Sequence, residues 1–200
     1  MESDQFLTRL ADGVPDSHRA LQAARCISSM IDPEQPLSVQ HDVKMLWHAD
    51  NVAAVLRGQP FAARPITAEI DLNNVCSYRC AFCTYGWSRK QVAGRAGTDA
   101  MSREVIEVVL RRFSEGGVRG VIVTGGGEPL ENPEAAWALE TGRHLGLQMG
   151  LFTNGSPLTP QLAQRILAAA PQFVRVSANA VTPEVYARFH GLDDERWARI

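Results

Sequence analysis

The sequence predicts an α/β protein built on part of a parallel, TIM-type (β/α) barrel. Strand-like and helix-like segments alternate after residue 64, helix starts carry capping residues, and the polar motifs stand at the carboxyl ends of strands. About four βα units are visible, whereas eight units take roughly 250 residues. We therefore expect residues 65–200 to form a core that is incomplete at its C-terminal end.

The first 64 residues are predicted to be a helical N-terminal extension. Their helix-like apolar patterns are broken at Asp32-Pro33 and Gln35-Pro36, and a second amphipathic run covers 43–56 and ends at Gly58. Cys26 falls in this extension and is interpreted as a buried small residue rather than a metal ligand.

Four segments have the pattern of strands. In the first and last of them, polar residues alternate with apolar ones, so one face of the sheet should be polar and line the barrel interior. The predicted strands are 66–72, 118–124, 148–153 and 173–178, and the polar set is Glu69, Asp71, Arg175, Ser177 and Asn179.

The helices between these strands are marked at their starts and ends. A side-chain oxygen at the N-cap and proline at the first helical position favour a helix start, and glycine favours an end. The predicted boundaries are Ser102 before 105–113 with Gly116-Gly117 after it, Asn132-Pro133 to about Gly146, Thr159-Pro160 for the next helix, and Thr182-Pro183 to Gly191.

Composition and charge exclude several classes of partner. A net charge of -2 gives no field that favours nucleic acid or anionic lipid as the main partner. No apolar stretch reaches the roughly 18 residues of a membrane span, and the N-terminus has no signal-peptide pattern. We expect a cytoplasmic protein that uses neither nucleic acid nor membrane.

Three of the four cysteines lie within eight residues, in the pattern C-x3-C-x2-C: Cys76, Cys80 and Cys83. This spacing and odd number do not suit paired disulfides and point to metal. Three thiolates on one loop can hold an iron–sulfur cubane and leave one iron open to a small molecule. The alternatives are structural zinc completed by Cys26 or a histidine, inert cysteines on a buried helix face, and a pure electron carrier.

The cysteine pattern after a first barrel strand, with Phe82 just before the last cysteine, resembles the signature of the radical S-adenosylmethionine (SAM) superfamily. Gly126, Gly127 and Glu128, after the second strand, resemble the motif with which that superfamily contacts the amino group of SAM. The resemblance implies a [4Fe–4S] cluster whose open iron binds SAM and cleaves it to a 5′-deoxyadenosyl radical. Taken alone, the glycine run is also ordinary turn material.

The resemblance further implies that polar residues at later strand ends reach the ribose and carboxylate of SAM. The matching positions are Asn154, Ser177 and Asn179, and Arg188 on the fourth helix would pair with the SAM carboxylate. Asn154-Gly155 is equally typical of a tight turn, and Arg188 of a solvated helix surface.

The motifs concern SAM and leave the substrate open. We expect a small metabolite, such as a sugar or aminoglycoside, or a peptide, with flavodoxin or ferredoxin as electron donor. A glycyl-radical activase and a non-catalytic iron–sulfur redox protein are the alternatives.

Overall fold

The computed structural model describes residues 48–86 and 100–191, and the chain divides into two compact units, Met1–Arg64 and Pro65–Ile200. The predicted helix breaks before residue 48, and Cys26, lie outside the described residues. In the first unit, helix α1 covers Ala49–Leu56 and a 3₁₀ turn covers Pro60–Ala62. The side chain of Asn51 donates to the carbonyl of Arg64 and accepts from its N–H, which ties the end of this unit to α1.

Four strands of the second unit form one parallel sheet in the order β1-β2-β3-β4. They are β1 Thr67–Asp71, β2 Gly120–Thr124, β3 Gln148–Thr153 and β4 Phe173–Val176. Strand β3 has its predicted bounds. Strand β2 starts later because the N–H of Val118 bonds to the carbonyl of Phe113 and so closes the preceding helix, and β4 ends early because Ala178 turns back onto the carbonyl of Val176.

Helices follow each strand, which confirms the predicted α/β class. They are α2 Arg103–Glu115, α3 Ala135–His144, α4 Pro160–Ala168 and α5 Pro183–His190, with a 3₁₀ turn at Pro129–Glu131. The hydroxyls of Ser102, Thr159 and Thr182 each accept an N–H from the first turn of the following helix, as predicted. Among the described helices, none combines the length and apolar character needed to cross a membrane.

The predicted start of α3 at Asn132-Pro133 is wrong, because the helix begins two residues later with Glu134 at its N-cap. Asn132 is buried, and its side-chain amide donates to the carbonyls of Leu72 and Met101 at 3.0 and 3.1 Å. Its oxygen accepts the N–H of Glu134 at 2.9 Å. Asn132 therefore joins the end of β1 to the segments before α2 and α3.

The helices cover one face of the sheet, and the other face carries both charged and apolar side chains, the apolar ones being Ile122, Phe152 and Phe173. The core on the helical face includes Ile70, Val121, Val123, Met149, Leu151, Ile106, Leu110, Leu139 and Ile166. Glu69 and Asp71 of β1 lie on the opposite face, as the alternation predicts, with Glu69 exposed and Asp71 half-buried. Arg175 of β4 shares this face, with its guanidinium carbon 3.4 Å from the centroid of the Phe152 ring.

Candidate active site

The cysteine loop begins at the carboxyl end of β1 and is fixed there by Asn73. The buried side chain of Asn73 accepts the N–H of Val75 at 2.8 Å and donates to the carbonyl of Glu128 at 3.0 Å. The N–H of Glu128 in turn donates to the carbonyl of Val75 at 2.7 Å. These three bonds attach the start of the cysteine loop to the loop that follows β2.

Helix α5 holds the middle of the same loop through its own C-terminus. The last carbonyls of a helix lack partners within the helix and need donors from elsewhere. Here the carbonyls of Phe189 and His190 accept the N–H groups of Ala81 and Arg79, at 2.9 and 3.0 Å. Gly191 ends the helix at φ +65°, and a Cβ at this position would lie 2.9 Å from the carbonyl oxygen of Arg79.

Cys76, Cys80 and Cys83 are all half-buried. Two of their sulfurs lie beside side-chain nitrogens from distant parts of the chain. The Sγ of Cys80 is 3.1 Å from Nδ1 of His190, and the Sγ of Cys76 is 3.8 Å from Nδ2 of Asn154. The fold therefore surrounds the cysteine loop with polar groups from the β3 end and from α5.

His190 is enclosed by aromatic rings. It is 1% exposed, and its ring centroid is 4.1 Å from that of Tyr186, 5.4 Å from that of Tyr78 and 5.6 Å from that of Phe82. Burial lowers the pKa of His190. Its Nε2 lies 3.2 Å from the carbonyl oxygen of Ala178, which only accepts, so a neutral ring donates there and Nδ1 can accept from the Cys80 thiol.

The aromatic pair behind His190 is itself hydrogen-bonded. The hydroxyl of Tyr186 donates to that of Tyr78 at 3.0 Å, and both residues are buried. Burial raises the pKa of Tyr186, which keeps its phenol protonated. Tyr78 lies between Cys76 and Cys80 in the sequence, so this pair anchors the cysteine loop to α5.

The glycine run after β2 lies directly against the start of the cysteine loop. The N–H of Gly126 donates to the carboxylate of Asp71 at 3.0 Å. A Cβ on Gly127 would overlap the carbonyl oxygen of Val75 and the side-chain oxygen of Asn73. Glycine at 127 is therefore required by the close approach of two backbone segments.

Glu128 is 2% exposed, and its carboxylate is already hydrogen-bonded within the protein. Its Oε1 accepts from the hydroxyl of Thr153 at 2.5 Å and from the N–H of Leu130 at 3.1 Å, and its Oε2 accepts the N–H of Asn154 at 2.7 Å. Burial raises the pKa of Glu128, and these three hydrogen bonds partly oppose the rise. The carboxylate joins the β2 loop to the β3 loop.

The other predicted SAM-contacting residues are spread along the same edge of the sheet. Ser177 is half-buried and continues from β4, donating its N–H to the carbonyl of Thr153 at 2.8 Å. Asn179 is exposed with φ +49°, and Arg188 is exposed on α5. Phe82 is 51% exposed, with its ring centroid 6.2 Å from that of Phe189.

The structure thus joins Cys76 to Asn154 and the start of the cysteine loop to residues 126–128, whereas no described contact joins Arg188 to them. The sequence analysis missed His190, Asn73 and Thr153. Cys80 and His190, whose side chains meet, are 110 positions apart. No local sequence signal links two residues at that separation.

The residues present fit an iron–sulfur cluster. Thiolates are the usual ligands of such clusters, and nitrogen donors near the sulfurs are among the groups that tune them. Within residues 48–86 and 100–191, no three His, Cys, Asp or Glu side chains converge on a point where one metal ion could bind. A cubane does not require such convergence, because each of its cysteine ligands binds a different iron.

Comparison with known proteins identifies the family. The radical SAM superfamily model matches residues 70–200, which is more than half of the chain. The chain therefore belongs to the radical SAM superfamily. Membership confirms the resemblance predicted from the sequence, together with the class of enzyme and its cofactors, a [4Fe–4S] cluster and SAM.

Two curated relatives share this region. The chain is 30% identical to the AdoMet-dependent heme synthase of Methanosarcina barkeri over 122 residues, which are 61% of this chain and 33% of that protein. It is 32% identical to the probable GTP 3′,8-cyclase of Thermococcus kodakarensis over 131 residues, 65% of this chain and 40% of that protein. The chain thus spans about a third to two fifths of the length of these relatives.

A solved structure agrees with the fold. SuiB of Streptococcus suis, bound to the precursor peptide SuiA, matches with a TM-score of 0.58 and 18% identity, over 98% of this chain and 45% of SuiB. At this identity the likeness concerns the fold, and it confirms the predicted partial barrel.

Proposed function

We propose that this protein binds a [4Fe–4S] cluster through Cys76, Cys80 and Cys83 and uses it to cleave SAM reductively. When bound, the cluster and SAM supply a 5′-deoxyadenosyl radical that abstracts a hydrogen atom from the substrate. The observation that carries the proposal is a loop of three half-buried cysteines at the carboxyl end of β1. Active sites of parallel α/β barrels form at this end of the strands.

The residues around the loop have distinct roles in this proposal. The backbone at Gly126 and Gly127 faces the amino group of SAM, while the Glu128 carboxylate fixes the position of Asn154 through its N–H. Ser177 and Asn179 reach the ribose and carboxylate of SAM from the end of β4, and Phe82 covers the cofactor beside Cys83. Arg188 pairs with the SAM carboxylate from α5.

For the substrate we propose a small polar metabolite, of the sugar or aminoglycoside kind, or a peptide. A polar substrate is supported by charged side chains on the side of the sheet opposite the helices. These are Glu69, Asp71 and Arg175. The electron would come from a flavodoxin or ferredoxin. A cluster held by three cysteine thiolates suits a reducing compartment, and we place the protein in the cytoplasm.

In this proposal residues 65–200 form the first part of the radical SAM core, and residues 1–64 form a helical extension before it. The core would then hold the cluster and SAM, because all the residues assigned to them lie between Cys76 and Arg188.

The test is anaerobic reconstitution with iron and sulfide, reduction with dithionite, addition of SAM, and chromatography for 5′-deoxyadenosine. Formation of 5′-deoxyadenosine, even without substrate, is the expected result. A protein that takes up the cluster and leaves SAM intact would be a redox protein instead, and a protein that takes up zinc and no iron would contradict the proposal.

Two cysteine variants, one in the loop and one outside it, supply a matched control. Cys80→Ala is expected to lose the cluster and all SAM cleavage, because two thiolates do not hold a cubane in place. Cys26→Ala removes the one cysteine outside the loop and is expected to keep both. Equal loss in the two variants would show that the cysteines act through general folding.

A further inference from the structure

The contact between His190 and Cys80 is not accounted for by the roles assigned to the SAM-contacting residues. Cys80 is the middle cysteine of the loop, and His190 is the last residue of α5. Their side chains approach to 3.1 Å although they are 110 positions apart. A buried polar side chain needs a partner, and this sulfur lies within hydrogen-bonding distance of Nδ1.

The position of the His190 ring is fixed from several sides. Tyr186 and Tyr78 pack against it, and its Nε2 lies 3.2 Å from the carbonyl oxygen of Ala178. The backbone of His190 also accepts the N–H of Arg79, next to Cys80. The same residue therefore holds the cysteine loop through its backbone and faces the sulfur with its side chain.

We propose that His190 is a positioning residue for the cluster, which orients the Cys80 sulfur for iron binding and donates a hydrogen bond to it once the cluster is bound. This inference rests on the proposed function, since it requires a cluster at Cys80. A thiolate bound to iron has no hydrogen of its own, so the contact is then made by a hydrogen on Nδ1. A neutral ring has one N–H, so the ring changes tautomer when the cluster binds: the hydrogen then lies on Nδ1 toward the sulfur, and the donation from Nε2 to the Ala178 carbonyl is given up.

A hydrogen bond to a ligand sulfur has a measurable effect on the cluster. Reduction adds negative charge to the cluster and its thiolates, and a donor beside the sulfur stabilises that charge, so the bond raises the reduction potential. Its loss should make one-electron reduction less favourable by about tenfold, which corresponds to a potential lower by about 59 mV.

Two amide variants separate this bond from packing. In His190→Asn the amide nitrogen is attached at Cγ, as Nδ1 is in histidine, and can face the sulfur. In His190→Gln the amide nitrogen takes the place of Nε2 and faces Ala178 instead. Tyr186→Phe serves as the packing control, because it removes the hydroxyl bond to Tyr78 in the same aromatic group and leaves the ring nitrogens of His190 in place.

The experiment measures iron and sulfide content and the midpoint potential of each reconstituted protein, by a redox titration followed by electron paramagnetic resonance. We expect His190→Asn and Tyr186→Phe to keep a midpoint potential near that of the wild type. In His190→Gln we expect the potential to fall by about 59 mV, or this variant to be the only one of the three that loses the cluster. A potential of His190→Gln equal to that of the wild type overturns the inference. So does an equal shift, or equal loss of cluster, in the two amide variants.

Failure of the proposed function gives a different result. A wild-type protein that takes up no [4Fe–4S] cluster refutes the proposed function and this inference with it. A wild-type protein that takes up the cluster and cleaves SAM, with no difference between the amide variants, refutes the role of His190 alone.

Discussion

The carboxylate of Glu128 and the hydroxyl of Thr153 lie 2.5 Å apart in the protein interior, joining the loop after β2 to the end of β3. The same carboxylate accepts the N–H groups of Leu130 and Asn154. Family resemblance assigns this glutamate to SAM, whereas the contacts of the protein itself make it a brace between two loops of the site.

Replacing Glu128 with glutamine should therefore destabilise the fold. The amide oxygen can still accept from Thr153 and Leu130, but the amide nitrogen would face the N–H of Asn154, and two donors cannot bond. An unsatisfied buried group costs about 1–3 kcal/mol. Urea denaturation at neutral pH measures the loss, and Glu140→Gln, at an exposed position of α3, controls for removal of a negative charge.

The stability difference between wild type and Glu128→Gln should also depend on pH. Burial raises the pKa of Glu128, so the ionised carboxylate is less favoured in the folded chain than in the unfolded one. The wild type then gains stability as pH falls through the raised pKa, and the gain is complete below the unfolded value of about 4.3. We expect its advantage over the variant to grow over this range. If the stability advantage of the wild type instead shrinks as pH falls, the pKa of Glu128 is lower in the folded chain than in the unfolded one.

Gly127→Ala tests the contact between the glycine run and the cysteine loop. The new methyl group would overlap the Val75 carbonyl and the Asn73 side chain, whose own hydrogen bonds hold them in place. Overpacking of this kind costs about 1–3 kcal/mol. At Gly126 the nearest atom to a new Cβ is the side-chain oxygen of Asn74, at 2.7 Å, and a side chain can move. Thermal unfolding should show a larger loss for Gly127→Ala than for Gly126→Ala, and equal losses would argue against the close approach.

Local patterns predicted most of the fold because the forces that set it are local. Ser102, Thr159 and Thr182 cap helices with their own hydroxyls, and a cap is satisfied within one turn of the chain. Asn132 had the same local signature and was predicted wrongly as a helix start. Its amide bonds to Leu72 across 60 positions, and a bond of that kind is decided by the tertiary structure.

The candidate site also has some features that local sequence predicts and others that depend on tertiary packing. The proximity of the three cysteines could be predicted from their spacing, because residues on one short loop lie close together in any fold. The partner of Cys80 could not, since His190 reaches it only after α5 packs against the loop. The role of Glu128 as a brace was also hidden, because Thr153 belongs to another strand.

Gly191→Ala tests the junction between α5 and the cysteine loop. The residue has φ +65°, and left-handed backbone costs an L residue about 1–2 kcal/mol. A Cβ here would also lie 2.9 Å from the carbonyl oxygen of Arg79, so the cysteine loop would have to move. Gly146, with φ +81° and no atom within 4 Å of a new Cβ, offers a control that has the backbone cost alone.

The two glycine variants should differ in cluster binding as well as in stability. We expect Gly146→Ala to keep its iron and Gly191→Ala to lose much of it after gel filtration of the reconstituted proteins. If both retain iron equally, then the position of α5 does not govern that of the cysteines.

Arg188→Ala tests whether Arg188 binds SAM or is only a solvated residue on the helix surface. Arg188 is exposed on α5, and the described part of the chain gives it no ion pair, so its removal should change the free energy of unfolding by less than about 0.5 kcal/mol. If it pairs with the SAM carboxylate, its loss should weaken SAM binding by about 1.5–3 kcal/mol, the usual strength of a hydrogen bond to a charged group. Anaerobic titration of the reconstituted protein with SAM measures the affinity, and Arg165→Ala on α4 is the matched variant, expected to bind SAM normally. Unchanged affinity in both variants would remove Arg188 from the site and leave Ser177 and Asn179, at the end of β4, to hold the carboxylate.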